Sequence, residues 1–163
     1  MKKIRRSQGL WGMLVLLFYQ SIAAADSSLM IENPWVRDSP PHAAMSAAYL
    51  TIMNHSDQAQ VLETVTSPQF QKAEVHRTEL MDGQVHMQRE DNVSVAAHGS
   101  LEFKPGGYHL MLIHPLQALK LGDTVELRLQ FKDAPSLTVL APIRESADET
   151  PPHDMGNMHD MNM

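Results

Sequence analysis

Two histidines and two methionines in the middle of the 163-residue chain have the types and spacing of metal ligands. Ten residues separate His76 from Met87, 21 separate Met87 from His109, and one separates His109 from Met111. Imidazole binds several transition metals, whereas the thioether of methionine is a soft ligand that favours Cu(I). The chain contains no cysteine that could supply a thiolate instead. These four side chains therefore predict a site for monovalent copper.

The first pair of candidate ligands is predicted to meet on a β-hairpin. Asp82-Gly83 is a strong signal for a two-residue type I′ turn. A turn of that type pairs Thr78 with Met87, which places Met87 diagonal to His76 on the same face. Diagonal neighbours lie roughly 7–8 Å apart at the backbone, and the three rotatable bonds of methionine can span that gap.

The second pair lies on one predicted strand. His109 and Met111 are two residues apart, so both project from the same face of a strand. His86, although next to Met87, points to the opposite face of its strand and is a poorer candidate. Two strand pairs that each offer one imidazole and one thioether can close a four-coordinate soft site.

The elements that carry these residues are predicted to be β-strands throughout. From Ile31 to Arg144, short runs of alternating apolar and polar residues are separated by turn signals, a pattern typical of one Greek-key sandwich. No second domain is evident. The predicted strands are 35–37, 47–53, 61–66, 73–78, 84–89, 94–97, 100–103, 109–113, 124–131 and 137–142.

The ends of the chain differ in composition from this domain. Four basic residues, an apolar run from Leu10 to Tyr19 and Ala23-Ala24-Ala25 predict a signal peptide over residues 1–25. The run is too short to span a bilayer, so we expect no membrane insertion after cleavage, and the missing cysteine argues against a lipid anchor. The sandwich is predicted over residues 26–144. A disordered linker and Met/His-rich tail are predicted over residues 145–163.

The tail is a second source of copper ligands. His-Asp-Met occurs twice, six residues apart, and four of the last eleven residues are methionine. Imidazole and carboxylate groups could take Cu(II), and the thioethers could take Cu(I). The candidate tail ligands are His153, Met155, Met158, His159, Met161 and Met163.

The charge of the exported chain excludes some partners. Of the 13 Lys and Arg, four leave with the signal peptide, so 9 remain against 19 Asp and Glu, a formal charge of −10. Such acidity argues against nucleic acid or an anionic membrane as a partner. We expect a monomer.

With these residues in place, the sequence resembles the PCu(A)C family of periplasmic copper chaperones, whose pattern is H-(M)-x10-M-x21-H-x-M. The resemblance covers about residues 31–144, and its one departure is Arg77 at the optional methionine. Further similar segments are Trp35-Val36-Arg37, residues 47–52 with Asn54, Met81-Asp82-Gly83, residues 105–111 and Leu121-Gly122-Asp123.

The resemblance implies a cupredoxin-like β-sandwich that holds Cu(I) in an exposed His2Met2 site. By residue-by-residue comparison, His76, Met87, His109 and Met111 are the ligands. Such chaperones supply the CuA centre of cytochrome c oxidase subunit II or other copper enzymes, often together with a Sco-type thiol protein. The resemblance therefore predicts a periplasmic protein of a Gram-negative bacterium that is not an enzyme.

Other functions fit the sequence less well. A blue-copper electron carrier needs a cysteine thiolate, a histidine-brace oxygenase needs an N-terminal histidine, and no hydrolase motif stands out. A copper storage or tolerance protein and a structural sandwich without metal remain as alternatives. Outside the candidate sites, His42 and His55 are predicted to be exposed polar residues, and Met45 and Met53 to pack against their neighbours. His98 is predicted to be a loop residue, and His114, before Pro115, to end its strand.

Overall fold

The computed structural model describes residues 28–40 and 42–145, and within these ranges all regular elements are β-strands. The predicted signal peptide and residues 146–163 of the predicted tail lie outside them. In the same ranges no helix is long and apolar enough to cross a membrane. The strands are β1 (Leu29–Arg37), β2 (Met45–Asn54), β3 (Gln60–Thr66), β4 (Phe70–Met81), β5 (Gln84–Arg89), β6 (Val93–Val95), β7 (Ser100–Phe103), β8 (Tyr108–Pro115), β9 (Thr124–Phe131) and β10 (Leu137–Arg144).

Hydrogen-bonded neighbours among the strands lie in the spatial order β5-β4-β8-β7-β2-β1-β10-β9-β3-β6. A short parallel pairing of β1 with β10 joins a larger sheet to a smaller one, through Val36↔Ile143 and Arg37↔Arg144. Both sheets contribute to one apolar core, because buried residues such as Leu110 and Leu112 of β8 belong to the same cluster as Leu127 of β9. The two sheets therefore face each other across the core, and the predicted all-β sandwich is confirmed.

Alternation of side chains explains why these segments form strands. Along β9, Val125, Leu127, Leu129 and Phe131 are buried, and the residues between them point away from the core. A strand that is apolar on one face buries that face and leaves the other to solvent. Each predicted strand is present, and most extend beyond their predicted ends. In contrast, β6 ends at Val95, two residues before its predicted end.

Three neighbouring strands of the larger sheet carry the candidate ligands. The hairpin between β4 and β5 has the predicted register, with His76 opposite Arg89 and Thr78 opposite Met87. Asp82 and Gly83 both have positive φ, at 52° and 76°, as a type I′ turn requires. On its other side β4 pairs with β8, so β4 lies between the two strands that hold the remaining ligands.

Candidate functional site

The two candidate imidazoles are direct cross-strand neighbours. His76 of β4 lies opposite His109 of β8 in the antiparallel ladder, and their ring centroids are 5.9 Å apart. A metal ion binds an imidazole nitrogen at about 2 Å, so rings at this separation can hold one ion between them. The sequence predicted His76 and His109 on two separate strand pairs. The pairing of β4 with β8 brings the two histidines together.

His109 is held in a fixed orientation by the backbone. Its side chain is buried, and Nδ1–H donates a hydrogen bond of 3.1 Å to the carbonyl of Gly107. Burial lowers the pKa of His109, with a smaller lowering from His76, whereas the Gly107 hydrogen bond acts in the opposite direction. A lowered pKa keeps the imidazole neutral near pH 7, which leaves the Nε2 lone pair available to a metal.

His76 is oriented through its other ring nitrogen. Nε2 lies 2.9 Å from Oε2 of Glu74, and because a carboxylate only accepts hydrogen bonds, Nε2 carries the proton. Nδ1 is then the lone-pair nitrogen, and it is buried with no hydrogen-bond partner among the described residues. A buried polar atom without a partner is costly, and a metal ion bound there would remove that cost.

Glu74 contacts the candidate ligand His76 and was not identified from the sequence. Its side chain is only 10% exposed and also forms ion pairs with Lys72 at 2.6 Å and Arg89 at 3.0 Å. Hydrogen bonds from Lys72 and then from His76 lower the pKa of Glu74 to about 2, so the carboxylate stays charged at neutral pH. Its position two residues before His76, on the same face of a strand, was the available signal.

The two candidate thioethers lie on either side of this histidine pair. Met111, partly buried on β8, is opposite Glu74 and therefore diagonal to His76. Met87 is opposite Thr78 on β5, also diagonal to His76, and is 52% exposed. All four predicted ligands thus project from one face of β5-β4-β8. Burial is uneven across the site, because His109 is covered while Met87 is open to solvent.

The hairpin beside the site presents an exposed apolar face. Leu80 and Val85 are opposite each other near its turn and are 73% and 71% exposed. Leu80 is two residues from Thr78, and Val85 is two residues from Met87, which pairs with Thr78. Because side chains alternate along a strand, Leu80 and Val85 therefore lie on the same face as Met87. An apolar strip therefore leads from the tip of the hairpin to the candidate ligands.

Other candidate donors lie outside this cluster. His86 is opposite Glu79 and so on the other face of the hairpin, as predicted. Within residues 28–40 and 42–145 no group of three or more His, Cys, Asp or Glu side chains could hold a metal ion. In that part of the chain, a four-ligand site at the histidine pair therefore needs the two thioethers. The six candidate tail ligands, from His153 to Met163, lie outside the described residues.

Comparison with known sequences identifies related proteins. The sequence profile of the LpqE-like family, described as one of lipoproteins, matches residues 29–143. Protein RP573 of Rickettsia prowazekii (strain Madrid E) is 26% identical over 137 residues, which cover 82% of this chain and 74% of that protein.

Comparison with solved structures identifies the fold. The copper-bound PCuAC domain from PmoF2 is similar with a TM-score of 0.62 and 24% identity, over 73% of this chain and 94% of that domain. The solution structure of CuI-DR1885 from Deinococcus radiodurans is similar with a TM-score of 0.59 and 27% identity, over 77% of this chain and 85% of that chain. The predicted resemblance to PCu(A)C proteins and the cupredoxin-like all-β fold are thereby confirmed.

Proposed function

The chain belongs to the LpqE-like family, and we propose that it is an exported copper chaperone which binds Cu(I) and passes it to a copper enzyme. The proposed ligands are His76, Met87, His109 and Met111. The protein is a carrier and not an enzyme, and copper is its cargo.

One observation supports this proposal above the others. His76 and His109 face each other, and each has one ring nitrogen engaged by a hydrogen bond and the other available as a lone pair. Ligand histidines in metal sites commonly have this arrangement, in which the second nitrogen donates to a carboxylate or a backbone carbonyl. A histidine pair that served only to pack the sheet would have no need of a buried nitrogen without a partner at His76.

The nature of the remaining donors favours monovalent copper. Thioethers do not lose a proton on binding, carry no charge and prefer soft cations. They also cannot form disulfides, which suits a protein that works outside the cytoplasm, where paired thiols are oxidised. A structural neighbour at 27% identity is described as holding Cu(I), which supports the same ion here.

Transfer of the ion needs a side of the site that an acceptor can reach. Met87 is more than half exposed, and the apolar strip of Leu80 and Val85 adjoins it. We propose that the acceptor docks on this strip and displaces Met87 first, before it reaches the buried His109. The proposed acceptor is the CuA centre of cytochrome c oxidase subunit II, with a Sco-type protein as a second participant, and the proposed compartment is the periplasm.

A Cu(I) competition titration tests the proposal. The chain truncated after Glu145 keeps every strand and the core but lacks the tail, so it reports on the sandwich alone. We expect one Cu(I) per chain, bound at least tenfold more weakly by His109→Ala and by Met111→Ala. His86→Ala, a histidine on the other face of the hairpin, should bind like the parent. Equal affinity in all four proteins would contradict the proposed ligands.

A further inference from the structure

A second group of soft donors lies on the solvent-facing side of the larger sheet, away from the candidate copper ligands. Side chains alternate along β2, so Met53 projects from the same face as Ala47. Ala47 is opposite Met111 in the ladder of β2 with β8. Met53 is six positions further along β2, which is about 20 Å in a strand. The end of β2 is therefore a separate part of this face.

Two thioethers are direct cross-strand neighbours at this end. Met30 of β1 is opposite Met53 of β2 in the antiparallel ladder, where the Cβ atoms of facing residues are about 4.5–5.5 Å apart. Leu29 and Ile52, the residues next to them along each strand, are buried in the core. Met30 is 50% exposed and Met53 is partly exposed. Two flexible thioethers at this spacing can reach one ion.

His55 adds an imidazole to the same group. Its N–H donates to the carbonyl of Ser28 at 2.6 Å, which continues the ladder of β1 with β2 in the same register. His55 is thus opposite Ser28, diagonal to Met30 and two residues beyond Met53. All three donors therefore project from one face, and His55 is exposed, as predicted.

The three donors are also free to bind. Among the described residues, histidine side-chain hydrogen bonds are made by His76, His98 and His109, so the ring of His55 is not taken up by one. Thioether sulfur is only a weak hydrogen-bond acceptor. A metal ion can therefore bind here without first breaking strong internal contacts.

Carboxylates lie beside this group on the same face. Glu32 of β1 and Glu102 of β7 are opposite Thr51 on its two sides, and Thr51 is two residues before Met53. Glu102 also forms an ion pair with Lys104 at 2.6 Å, so these three charged side chains carry one net negative charge. That charge attracts a cation to this end of the face.

We propose that Met30, Met53 and His55 form a second Cu(I) site. Two thioethers and a neutral imidazole are donors that suit Cu(I), and none of them carries the negative charge that hard cations prefer. The site has one donor fewer than the histidine pair with its two thioethers and is open to solvent, so it binds more weakly and fills second. A strong competing ligand therefore counts one ion per chain, and a weaker one is needed to detect the second.

The proposal does not depend on the ligands proposed for the histidine pair of β4 and β8. The test is NMR of residues 26–163, the predicted exported chain, with carbon-13 in the methionine methyl groups. Cu(I) is added anaerobically in the presence of a weak competing ligand. The signals of Met30 and Met53 are expected to shift along one common binding curve, at higher free Cu(I) than those of Met87 and Met111.

His55→Asn should raise the free Cu(I) at the midpoint of this curve by about tenfold or more, since loss of an outer partner of a ligand alone costs about 10–100-fold. The matched control is His114→Asn. His114 is an exposed histidine at the end of β8 with a φ of 53°, which asparagine tolerates. This variant should give the wild-type curve.

Met30→Leu should raise the midpoint of the Met53 signal in the same way, because leucine keeps the apolar contact but supplies no donor. Met45→Leu is its control, at a methionine on the same face of β2 as Met53. The prediction that Met45 packs against its neighbours is wrong, since this side chain is 55% exposed. The control should leave the Met53 curve unchanged.

Unshifted signals of Met30 and Met53 at saturating Cu(I) would show that there is no second site. Separate curves for the two signals would show that they do not share an ion, and a wild-type curve in His55→Asn would show that the imidazole is not a ligand. Each of these results overturns the proposal. Thermal unfolding of every variant shows whether it is folded. Failure of the first site would appear separately, as unshifted signals of Met87 and Met111.

Discussion

At the residue scale, Glu74 determines which ring nitrogen of His76 keeps its lone pair. Its carboxylate accepts a hydrogen bond from Nε2–H of His76, while ion pairs with Lys72 and Arg89 hold the carboxylate in place. Because its pKa is lowered to about 2, this arrangement persists over the whole physiological pH range. Outer partners of this kind fix the tautomer and orientation of a ligand histidine.

Glu74→Gln should therefore weaken Cu(I) binding by about tenfold, within the range typical of lost outer partners. The amide can also donate to the ring, so His76 loses its fixed tautomer, and the ion pairs with Lys72 and Arg89 are lost. Competition titration measures the change. Glu79→Gln is the control, because Glu79 lies on the same strand but pairs with His86 on the opposite face; a comparable loss in that variant would argue against a specific role for Glu74.

At the element scale, the β4–β5 hairpin has two separate roles, to carry Met87 and to present the apolar strip of Leu80 and Val85. Every residue of β5 is exposed, so the strand is held mainly by its ladder with β4 and not by the core. Exposed apolar side chains beside a binding site are typical of interaction surfaces.

Leu80→Thr with Val85→Thr should slow copper transfer to a soluble CuA domain by about tenfold while the affinity for Cu(I) stays unchanged. Threonine keeps the preference for a strand but removes apolar contact area, and a well-packed contact residue contributes more than about 1 kcal/mol. Stopped-flow absorbance of the acceptor measures the rate. Leu140→Thr, at an exposed leucine of β10, is the control, and an unchanged rate in the hairpin variant would show that docking occurs elsewhere.

The turn of the same hairpin depends on Gly83. Its φ is 76°, and a Cβ built there would contact nothing within 4 Å, so a substitution acts through backbone strain alone. Gly83→Ala should destabilise the closed hairpin relative to its open state by about 1 kcal/mol. Gly83→Asn should destabilise it less. Hydrogen exchange of the β5 amides reports this local opening. Equal protection in the Ala and Asn variants would mean that the turn does not limit it.

At the scale of the whole molecule, Asn54 connects parts of the fold that are distant in sequence. This buried side chain donates to the carbonyls of Gln58, Val95 and Ala96 and accepts from Ser56. It thereby joins the end of β2 in the larger sheet to the last residue of β6 in the smaller sheet and to the residue that follows it. None of the four proposed ligands is among its partners.

Asn54→Ala should lower the free energy of unfolding by about 2–3 kcal/mol, because carbonyls inside the protein lose their donors. Urea unfolding at equilibrium measures this change. Affinity for Cu(I) should not change in the folded variant, which serves as the internal control. A loss below about 0.5 kcal/mol would show that water replaces the amide.

The sequence predicted those parts of the fold that depend on neighbouring residues. The type I′ turn at Asp82-Gly83 determines the register that places Met87 diagonal to His76, and alternation identified the strands. The pairing of β4 with β8 could not be predicted in this way, because His76 and His109 are 33 positions apart and their register depends on packing of the whole sheet. The hydrogen bond of Glu74 to His76 was also not predicted, because it depends on how the two side chains are packed and not on their spacing.

The ligand set itself is the central claim, and X-ray absorption spectroscopy at the copper edge tests it most directly. The sample is the chain truncated after Glu145 and loaded with one equivalent of Cu(I), so that the methionines of the tail cannot contribute. The proposed site predicts two nitrogen and two sulfur neighbours, and Met87→Leu should remove one sulfur. A spectrum fitted by nitrogen and oxygen alone, or one unchanged by Met87→Leu, would contradict the account.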